Sequence, residues 1–272
     1  MVVFPRGNNK FRTQNVADDP RAVLATPRIE TRPVFRRGRR GSLPDMGEMI
    51  DFPSNGSTGQ GYIAVPGAGS GPGIVVIQEW WGLVPHIKEL CNRFAGEGFV
   101  ALAPDLYHGE ATTEPDEAGK KMMALELERA AKDLSGAVDV VAEQGNGDGV
   151  GVVGFCMGGG LALVLAGQRP DAVKAVVPFY GGIPWEGAAP DYSSITAAVM
   201  IECAGNDDWV TPEVAGQMVQ SLRDAGNVDA TMHVYEGAEH AFFNDTRPEV
   251  YDADAAALAW DRTLEFFRTR LA

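Results

Sequence analysis

A cysteine flanked by glycines is the first feature of this chain that could do chemistry. In residues 154–158, with the sequence GFCMG, Cys156 lies two residues from a glycine on each side and follows the apolar run 150–153. This spacing is typical of a nucleophile elbow, a strained strand-to-helix turn that tolerates only very small neighbours. Residues 157–168 are rich in Ala and Leu and are predicted to form a helix, whose first N–H groups could hold an oxyanion. Cys156 is therefore a candidate nucleophile.

Two other interpretations of this segment must be weighed. Residues 149–154 also spell G-x-G-x-x-G, and a buried cysteine is commonly just a small hydrophobic residue. A dinucleotide loop needs a strand before its first glycine, whereas residues 143–148 have turn chemistry, and no acidic residue ends the next predicted strand, 173–179. The dinucleotide interpretation is therefore disfavoured. Cys156 taken alone fits an inert core thiol as well as it fits a nucleophile.

Other residues with catalytic chemistry follow the remaining apolar runs. In an open parallel sheet, ligands bind beyond the carboxyl ends of the strands, so residues that follow a strand are the informative ones. Glu79, Asp207 and His240 each lie shortly after a predicted strand. With Cys156, the last two give the chain order Cys, Asp, His, which is the order of α/β-hydrolase triads. This coincidence favours the nucleophile over the core thiol.

Each member of such a triad would have its own role. A thiol is only slightly ionised at neutral pH, so His240 would take the proton of Cys156 and later return it to a leaving alcohol. Asp207 would accept the other ring N–H of His240, fix its tautomer and stabilise the imidazolium. The adjacent Asp208 is the rival for that role, and Asp207 is favoured. Because the thiol lies near an imidazole and a helix N terminus, we expect it to ionise readily.

The remaining histidines and cysteines indicate no metal site. His86, His108 and His233 form neither H-E-x-x-H nor another cluster with ligand spacing, so we expect no metal and no cofactor. Cys91 and Cys203 lie in a predicted helix and near a predicted strand end, where core packing is the expected role. The three cysteines contain no C-x-x-C and fit reduced thiols in a cytosol.

The elements that must position these residues alternate along the chain. Strands are predicted at residues 61–66, 73–78, 99–103, 149–153, 173–179, 198–203 and 230–235. Helices are predicted at residues 85–97, 115–143, 157–168, 211–225 and 249–270. Short β-branched runs separated by amphipathic helices indicate a mostly parallel central sheet with helices on both faces. The predicted class is α/β, with the α/β-hydrolase fold.

Composition excludes several classes of function. A chain of 272 residues with 45% hydrophobic residues can build one large α/β domain. A net charge of -14 would repel phosphate-rich partners, so we expect no nucleic acid partner. No segment approaches the roughly 20 apolar residues of a membrane span, and the first residues lack a signal-peptide core. We therefore expect a cytoplasmic protein without a membrane partner.

The first 45 residues differ in composition from the rest. They are mainly basic, with Arg36, Arg37, Arg39 and Arg40 close together, and show no apolar periodicity. Residues 1–45 are therefore expected to be a basic, disordered extension, and residues 46–272 the hydrolase domain. A targeting peptide, or translation that starts at Met46, would give the same pattern.

From about Met46 to its C terminus, the chain resembles the dienelactone hydrolase (carboxymethylenebutenolidase) family. The segments that carry the resemblance are 78–83 (QEWWGL), 103–109 (APDLYHG), 154–159 (GFCMGG), Asp207 with Val210, and 240–242 (HAF). The resemblance implies the α/β-hydrolase fold and hydrolysis of a small-molecule ester or lactone.

The resemblance also implies roles for single residues. Cys156 would be the nucleophile, with Asp207 and His240 as its triad partners. Glu79 would be a carboxylate beside the resting thiol that helps to ionise it when substrate arrives. The oxyanion donors would be the backbone N–H groups of Trp80 and Met157.

The chain departs from the family members that cleave dienelactone. Those enzymes hold the substrate carboxylate with arginines, one of them four residues after the catalytic histidine, where this chain has Asn244. No arginine lies near position 115, where the second is found. An arginine fork makes carboxylate recognition tight and directional, so the missing arginines count against dienelactone itself as the natural substrate, although a dienelactone-like ester or lactone is still expected. Lys120, Lys121 and Arg247 are the other cations that could hold a carboxylate.

The prediction is a hydrolase that cleaves a small ester or lactone through a thioester acyl-enzyme. The aromatic residues expected to line its pocket are Trp80, Trp81, Tyr107, Tyr180, Trp209 and Phe242. A thioesterase or general carboxylesterase on the same triad is the first alternative. A catalytically idle small-molecule binding protein with this fold is the second, and the filled triad positions count against it.

Overall fold

The computed structural model describes residues 47–227 and 229–272. The predicted basic extension over residues 1–45, and Met46 after it, lie outside the described residues. Within the described part of the chain, every helix is too short or too polar to cross a membrane.

In the part of the chain that the structure describes, eight strands form one sheet, and six α-helices and a short 3-10 helix, Tyr192–Ser194, accompany it. The strands are β1 (Gly47–Ser54), β2 (Ser57–Ala64), β3 (Gly73–Ile77), β4 (Val100–Pro104), β5 (Val150–Phe155), β6 (Val173–Phe179), β7 (Ala198–Asn206) and β8 (Ala230–Glu239). The helices are α1 (Pro85–Gly96), α2 (Pro115–Met123), α3 (Leu127–Gln144), α4 (Met157–Gln168), α5 (Pro212–Asp224) and α6 (Ala253–Arg270).

The sheet is parallel from β4 to β8 and antiparallel only at one side. The strand order is β1-β2-β4-β3-β5-β6-β7-β8, in which β2 pairs antiparallel with both β1 and β4. The remaining pairs are parallel, which brings the carboxyl ends of β3, β5, β6, β7 and β8 to the same edge. The predicted mostly parallel sheet is confirmed.

Alternating side chains of the strands build a core on each face of the sheet. Val75 and Ile77 of β3 belong to the cluster that α3, α4 and α5 cover. Ile74 and Val76 of the same strand belong to the cluster covered by α1 and α6. Strands buried on both faces read as continuous apolar runs, which is why the sequence predicted them.

Two local features differ from the sequence prediction. The strand β1 was not predicted, because polar residues interrupt its sequence and leave no long apolar run. It joins β2 through the turn Asn55-Gly56, whose φ angles are 43° and 94°. The helix predicted over residues 115–143 is two helices. The carbonyl oxygen of Met122 accepts from the N–H of Leu125 (3.2 Å) and from the indole N–H of Trp185 (2.9 Å), which ends α2.

The turn between β5 and α4 depends on close backbone packing. A Cβ atom at Gly154 would lie 2.0 Å from the carbonyl oxygen of Gly158. A Cβ atom at Gly158 would lie 2.4 Å from the carbonyl oxygen of Gln78, at the end of β3. Between these glycines, Cys156 has a φ of 56° and a ψ of -121°, a conformation that non-glycine residues rarely adopt. The predicted strained elbow is present.

We therefore predict that Gly154→Ala destabilises the protein strongly, because its Cβ would meet backbone that cannot move aside. Overpacking of this kind costs about 1–3 kcal/mol. The matched control is Gly216→Ala in α5, where an added Cβ meets nothing within 4 Å. Alanine there should stabilise the helix by up to about 1 kcal/mol. Urea unfolding of both variants measures the difference, and equal stabilities would contradict the packing argument.

Candidate active site

The four candidate catalytic residues meet in one cavity at the carboxyl edge of the sheet. The cavity has a volume of about 620 Å³ and is lined by Glu79, Cys156, Asp207 and His240. The other residues that line it are Trp80, Trp81, Met122, Asn206, Asp208, Trp209, Glu239, Ala241, Arg247 and Val250. Each candidate follows a different parallel strand, so the strand order alone brings them together.

Asp207 and His240 form a hydrogen-bonded pair. His240 Nδ1 lies 2.7 Å from Asp207 Oδ2, and Asp207 Oδ1 accepts from the N–H groups of Trp209 (2.8 Å) and Val210 (2.9 Å). Burial would raise the pKa of Asp207, but these hydrogen bonds, that from His240 foremost, hold this pKa below its usual value. The neighbouring Asp208 is exposed. Asp207 is thus the aspartate in contact with the histidine, and Nε2 is left as the free ring nitrogen.

Cys156 is a buried thiol surrounded by groups that oppose its ionisation. Cys156 is 6% exposed, and burial is the main reason that the pKa of its thiol is raised far above the usual value. The carboxylates of Glu79 and Asp207 raise this pKa further by like-charge repulsion. The expectation of a readily ionised thiol is therefore wrong for the resting site, because burial and two carboxylates outweigh the helix N terminus.

Two backbone N–H groups converge on the sulfur. One belongs to Met157, the first residue of α4, and the other to Trp80, in the loop after β3. Both hydrogen-bond to Cys156 and partly offset the rise in its pKa. Donors that approach a nucleophile from the backbone cannot rotate away, which is the property an oxyanion hole requires. These are the donors that the resemblance implied.

Glu79 lies buried behind the thiol, with two neutral donors. Glu79 is 1% exposed. Asn244 Nδ2 donates to its Oε2 (2.7 Å), and the Tyr180 hydroxyl donates to its Oε1 (3.4 Å). Asn244 is in turn oriented by Thr246, whose N–H and hydroxyl both donate to Asn244 Oδ1. In the sequence, Asn244 was noted only because it occupies a position where some family members have an arginine. Its contact with Glu79 spans 165 positions, and no local pattern indicates it.

Of the aromatic residues expected to line the pocket, Trp80, Trp81 and Trp209 line the cavity and the other three do not. Tyr180 lies in the core, where its hydroxyl donates to Glu79 and its ring packs edge to face against His240, with centroids 5.0 Å apart. Phe242 is fully buried against Tyr235, with ring centroids 4.9 Å apart. Tyr107 is buried with its hydroxyl 3.6 Å from the Met157 sulfur. Their rings fill the core beneath the site, where a strand-end position gives no sign of the direction in which a side chain points.

The other cysteines and histidines lie elsewhere. Cys91 and Cys203 are completely buried, and burial raises the pKa of both thiols, that of Cys203 to about 12. His86 Nδ1 lies 3.3 Å from Asp245, and His108 Nε2 lies 3.7 Å from Asp133. Within residues 47–227 and 229–272, no three His, Cys, Asp or Glu side chains are grouped so as to hold a metal ion.

Residues 60–271 match the family model described as "Dienelactone hydrolase family". "Protein usf" of Aquifex pyrophilus is 40% identical over 234 residues, which cover 83% of this chain and 100% of that protein. A protein of Aquifex aeolicus named "Putative carboxymethylenebutenolidase" is 36% identical over 234 residues, with the same shares covered.

The fold is similar to that of solved structures. The structure titled "Putative Dienelactone Hydrolase" from Klebsiella pneumoniae has a TM-score of 0.74 and 29% identity, and the match covers 82% of this chain and 98% of that one. A dienelactone hydrolase from Anabaena variabilis, at 21% identity and a TM-score of 0.59, covers 84% of this chain and 100% of its own and supports the fold alone.

The charges around the thiol predict that removal of a nearby carboxylate makes Cys156 more reactive towards an alkylating reagent. Glu79→Gln removes a negative charge beside the sulfur, so the pKa of Cys156 falls and more thiolate is present at a given pH. Alkylation of Cys156 by iodoacetamide should become faster, by at most about tenfold for each unit by which the pKa falls, because the thiolate fraction rises while its nucleophilicity decreases. Peptide mass spectrometry between pH 7 and pH 10 measures the rate.

The matched control for this experiment is Glu239→Gln. Glu239 also lines the cavity but is exposed, so water and salt screen its charge and alkylation should change little. An unchanged or slower reaction of Cys156 in Glu79→Gln would show that Glu79 does not suppress ionisation of the thiol.

Proposed function

The chain belongs to the dienelactone hydrolase family, and we propose that it hydrolyses a small ester or lactone through a thioester formed on Cys156. One observation carries the proposal: the Asp207–His240 pair lines the cavity in which the Cys156 sulfur accepts two backbone N–H groups. We assign this chemistry to residues 46–272, of which the family model matches 60–271.

Acylation begins when the thiol loses its proton. His240 Nε2 takes the proton while the sulfur electron pair attacks the substrate carbonyl carbon, and the carbonyl π electrons move to oxygen. The N–H groups of Trp80 and Met157 hold the resulting oxyanion. As the carbonyl re-forms, the C–O bond to the leaving group breaks, and the alkoxide takes the proton from His240. A thioester remains on Cys156; with a lactone substrate the new alcohol stays attached to the acyl group.

Deacylation repeats the sequence with water. His240 accepts a proton from water, and the oxygen attacks the thioester carbonyl between the same two N–H donors. The C–S bond breaks, the thiolate recovers a proton from His240, and the carboxylic acid leaves. Asp207 keeps the imidazole in one tautomer throughout and stabilises its charged form.

Glu79 gives the resting site a second proton acceptor. The raised pKa of Cys156 means that the thiol is neutral before substrate binds, which protects it from adventitious electrophiles. When bound substrate displaces the contacts of Glu79 with Asn244 and Tyr180, we assign to Glu79 the first acceptance of the thiol proton, which then passes to His240 Nε2 and from there to the leaving alkoxide. Glu79→Gln should therefore slow ester hydrolysis by the roughly 10²–10⁴ typical of a lost general base, although the same variant alkylates faster.

The leaving group separates the alternatives. A thioesterase or a general carboxylesterase would use the same residues, because the triad acts on the carbonyl carbon whichever alcohol or thiol departs. The relatives named carboxymethylenebutenolidase support a lactone or ester. Family membership counts against an idle binding protein.

The direct test of the proposal is turnover of p-nitrophenyl butyrate by wild type and by Cys156→Ala. We expect the alanine variant to be inactive, and we expect acid quenching of the wild type to leave a butyryl group on the peptide that contains Cys156. Full activity of Cys156→Ala, or an acyl group on another residue, would overturn the covalent mechanism.

The two neighbouring aspartates provide an internal comparison. Asp207→Asn should lower kcat by about 10⁴, the loss known for the equivalent change in a serine triad, because the histidine then loses its anionic partner. Asp208→Asn removes the same charge from an exposed position and should change kcat little. Stopped-flow kinetics of both variants, with melting temperatures to exclude unfolding, measure the contrast. Similar losses in both variants would remove Asp207 from the mechanism.

A further inference from the structure

The cavity carries more negative than positive charge. Among the described residues that line it, Glu79, Asp207, Asp208 and Glu239 are acidic, and Arg247 is the single arginine or lysine. Asp208 and Glu239 are exposed, so their carboxylates face solvent at the cavity wall. A second negative charge brought among these groups would be repelled.

Arg247 restores the balance only in part, because it is one charge against four and is itself paired with a glutamate at the surface. Arg247 Nε lies 2.8 Å from Glu249 Oε1, and the guanidinium lies over the ring of Trp81, 5.6 Å from its centroid. The other candidate anchors do not line the cavity, and Lys121 forms ion pairs with Glu110 and Glu117.

Among the described residues, the side-chain donors to the buried carboxylate behind the thiol are neutral. Glu79 accepts from the amide of Asn244 and the hydroxyl of Tyr180, both of which are neutral. Hydrogen bonds from neutral donors stabilise the carboxylate locally but leave its field on the cavity unneutralised. A substrate carboxylate would therefore meet a negative charge beside the reacting thiol that the hydrogen-bond donors of Glu79 do not neutralise.

The walls of the cavity are suited to apolar groups. The rings of Trp80 and Trp81 pack edge to face with centroids 5.0 Å apart. Trp209, which is 41% exposed, extends the aromatic surface next to His240, with ring centroids 5.4 Å apart. Met122 adds an adaptable thioether surface. Burial of hydrocarbon against such walls favours binding, whereas burial of an unpaired charge opposes it.

We propose that this cavity selects esters and lactones whose acyl and alcohol groups are apolar and uncharged, and that it discriminates against substrates that carry a carboxylate. Glu79, Asp208 and Glu239 provide the repulsion, and the tryptophans provide the attraction. This inference rests on the proposed function and deepens it by naming the class of substrate.

Two esters of equal length test the inference. Mono-p-nitrophenyl adipate differs from p-nitrophenyl hexanoate only in that a carboxylate replaces the terminal methyl group. We expect kcat/KM for the adipate ester to be at least about tenfold lower at low ionic strength, as repulsion between nearby charges requires. The gap should narrow as salt is added. Equal values, or a preference for the adipate ester, would overturn the inference; if Arg247→Gln abolished that preference, Arg247 would be the anchor of an anionic substrate.

Charge-neutralising variants test the source of the discrimination. Asp208→Asn and Glu239→Gln should each raise kcat/KM for the adipate ester relative to the hexanoate ester. The control is Glu143→Gln, which removes one charge from an exposed position near the end of α3, at the opposite edge of the sheet. It should leave the ratio unchanged. Equal shifts in all three variants would mean that only net charge matters and would overturn the role given to the cavity carboxylates.

Binding separates a failure of this inference from a failure of the proposed function. Hydrolysis of both esters that survives in Cys156→Ala would refute the catalytic proposal alone. Charge selection is then measured by calorimetry on Cys156→Ala with the matching anilides, N-(4-nitrophenyl)hexanamide and its adipic acid counterpart. Weaker binding of the anionic anilide supports the inference, and equal binding refutes it whatever the mechanism of hydrolysis.

Discussion

The close approach of the turn between β5 and α4 to the neighbouring backbone is the constraint on which the site depends. Gly158 touches carbonyl groups at the end of β3, and Gly159 lies against Gly181 after β6, with room for no Cβ atom. This contact sets the start of α4, and with it the Met157 N–H that reaches the sulfur. The strained conformation of Cys156 persists because the packing around it leaves no relaxed alternative.

The two carboxylates near the thiol are held in different ways, and the difference separates their roles. Asp207 has an ionisable partner in His240 and two backbone donors, so it remains charged and orients the base. Glu79 has only an amide and a hydroxyl, and it acts on the thiol through its charge. Similar groups thus orient a base in one place and suppress ionisation in the other, because their surroundings differ.

The sequence predicted the parallel sheet and the candidate residues that follow its strands, because buried strands leave apolar runs and strand ends mark the ligand edge. Contacts between residues far apart in the chain could not be predicted from the sequence. Nothing local to Asn244 indicates that it binds Glu79, and nothing local to Trp185 indicates that its indole ends α2. The ionisation state of Cys156 was mispredicted for the same reason, since burial is a property of the assembled core.

The junction between α2 and α3 has a consequence for how such a protein diversifies. Met122, on the cavity wall, belongs to α2, and the bond from Trp185 fixes the end of that helix to the segment after β6. The register of α3 on the sheet is set separately by its own buried face. Apart from the buried Ala118, the side chains of α2 can therefore change while the scaffold and the reacting groups stay in place. In this architecture, substrate preference can drift through a nine-residue helix while chemistry is inherited unchanged.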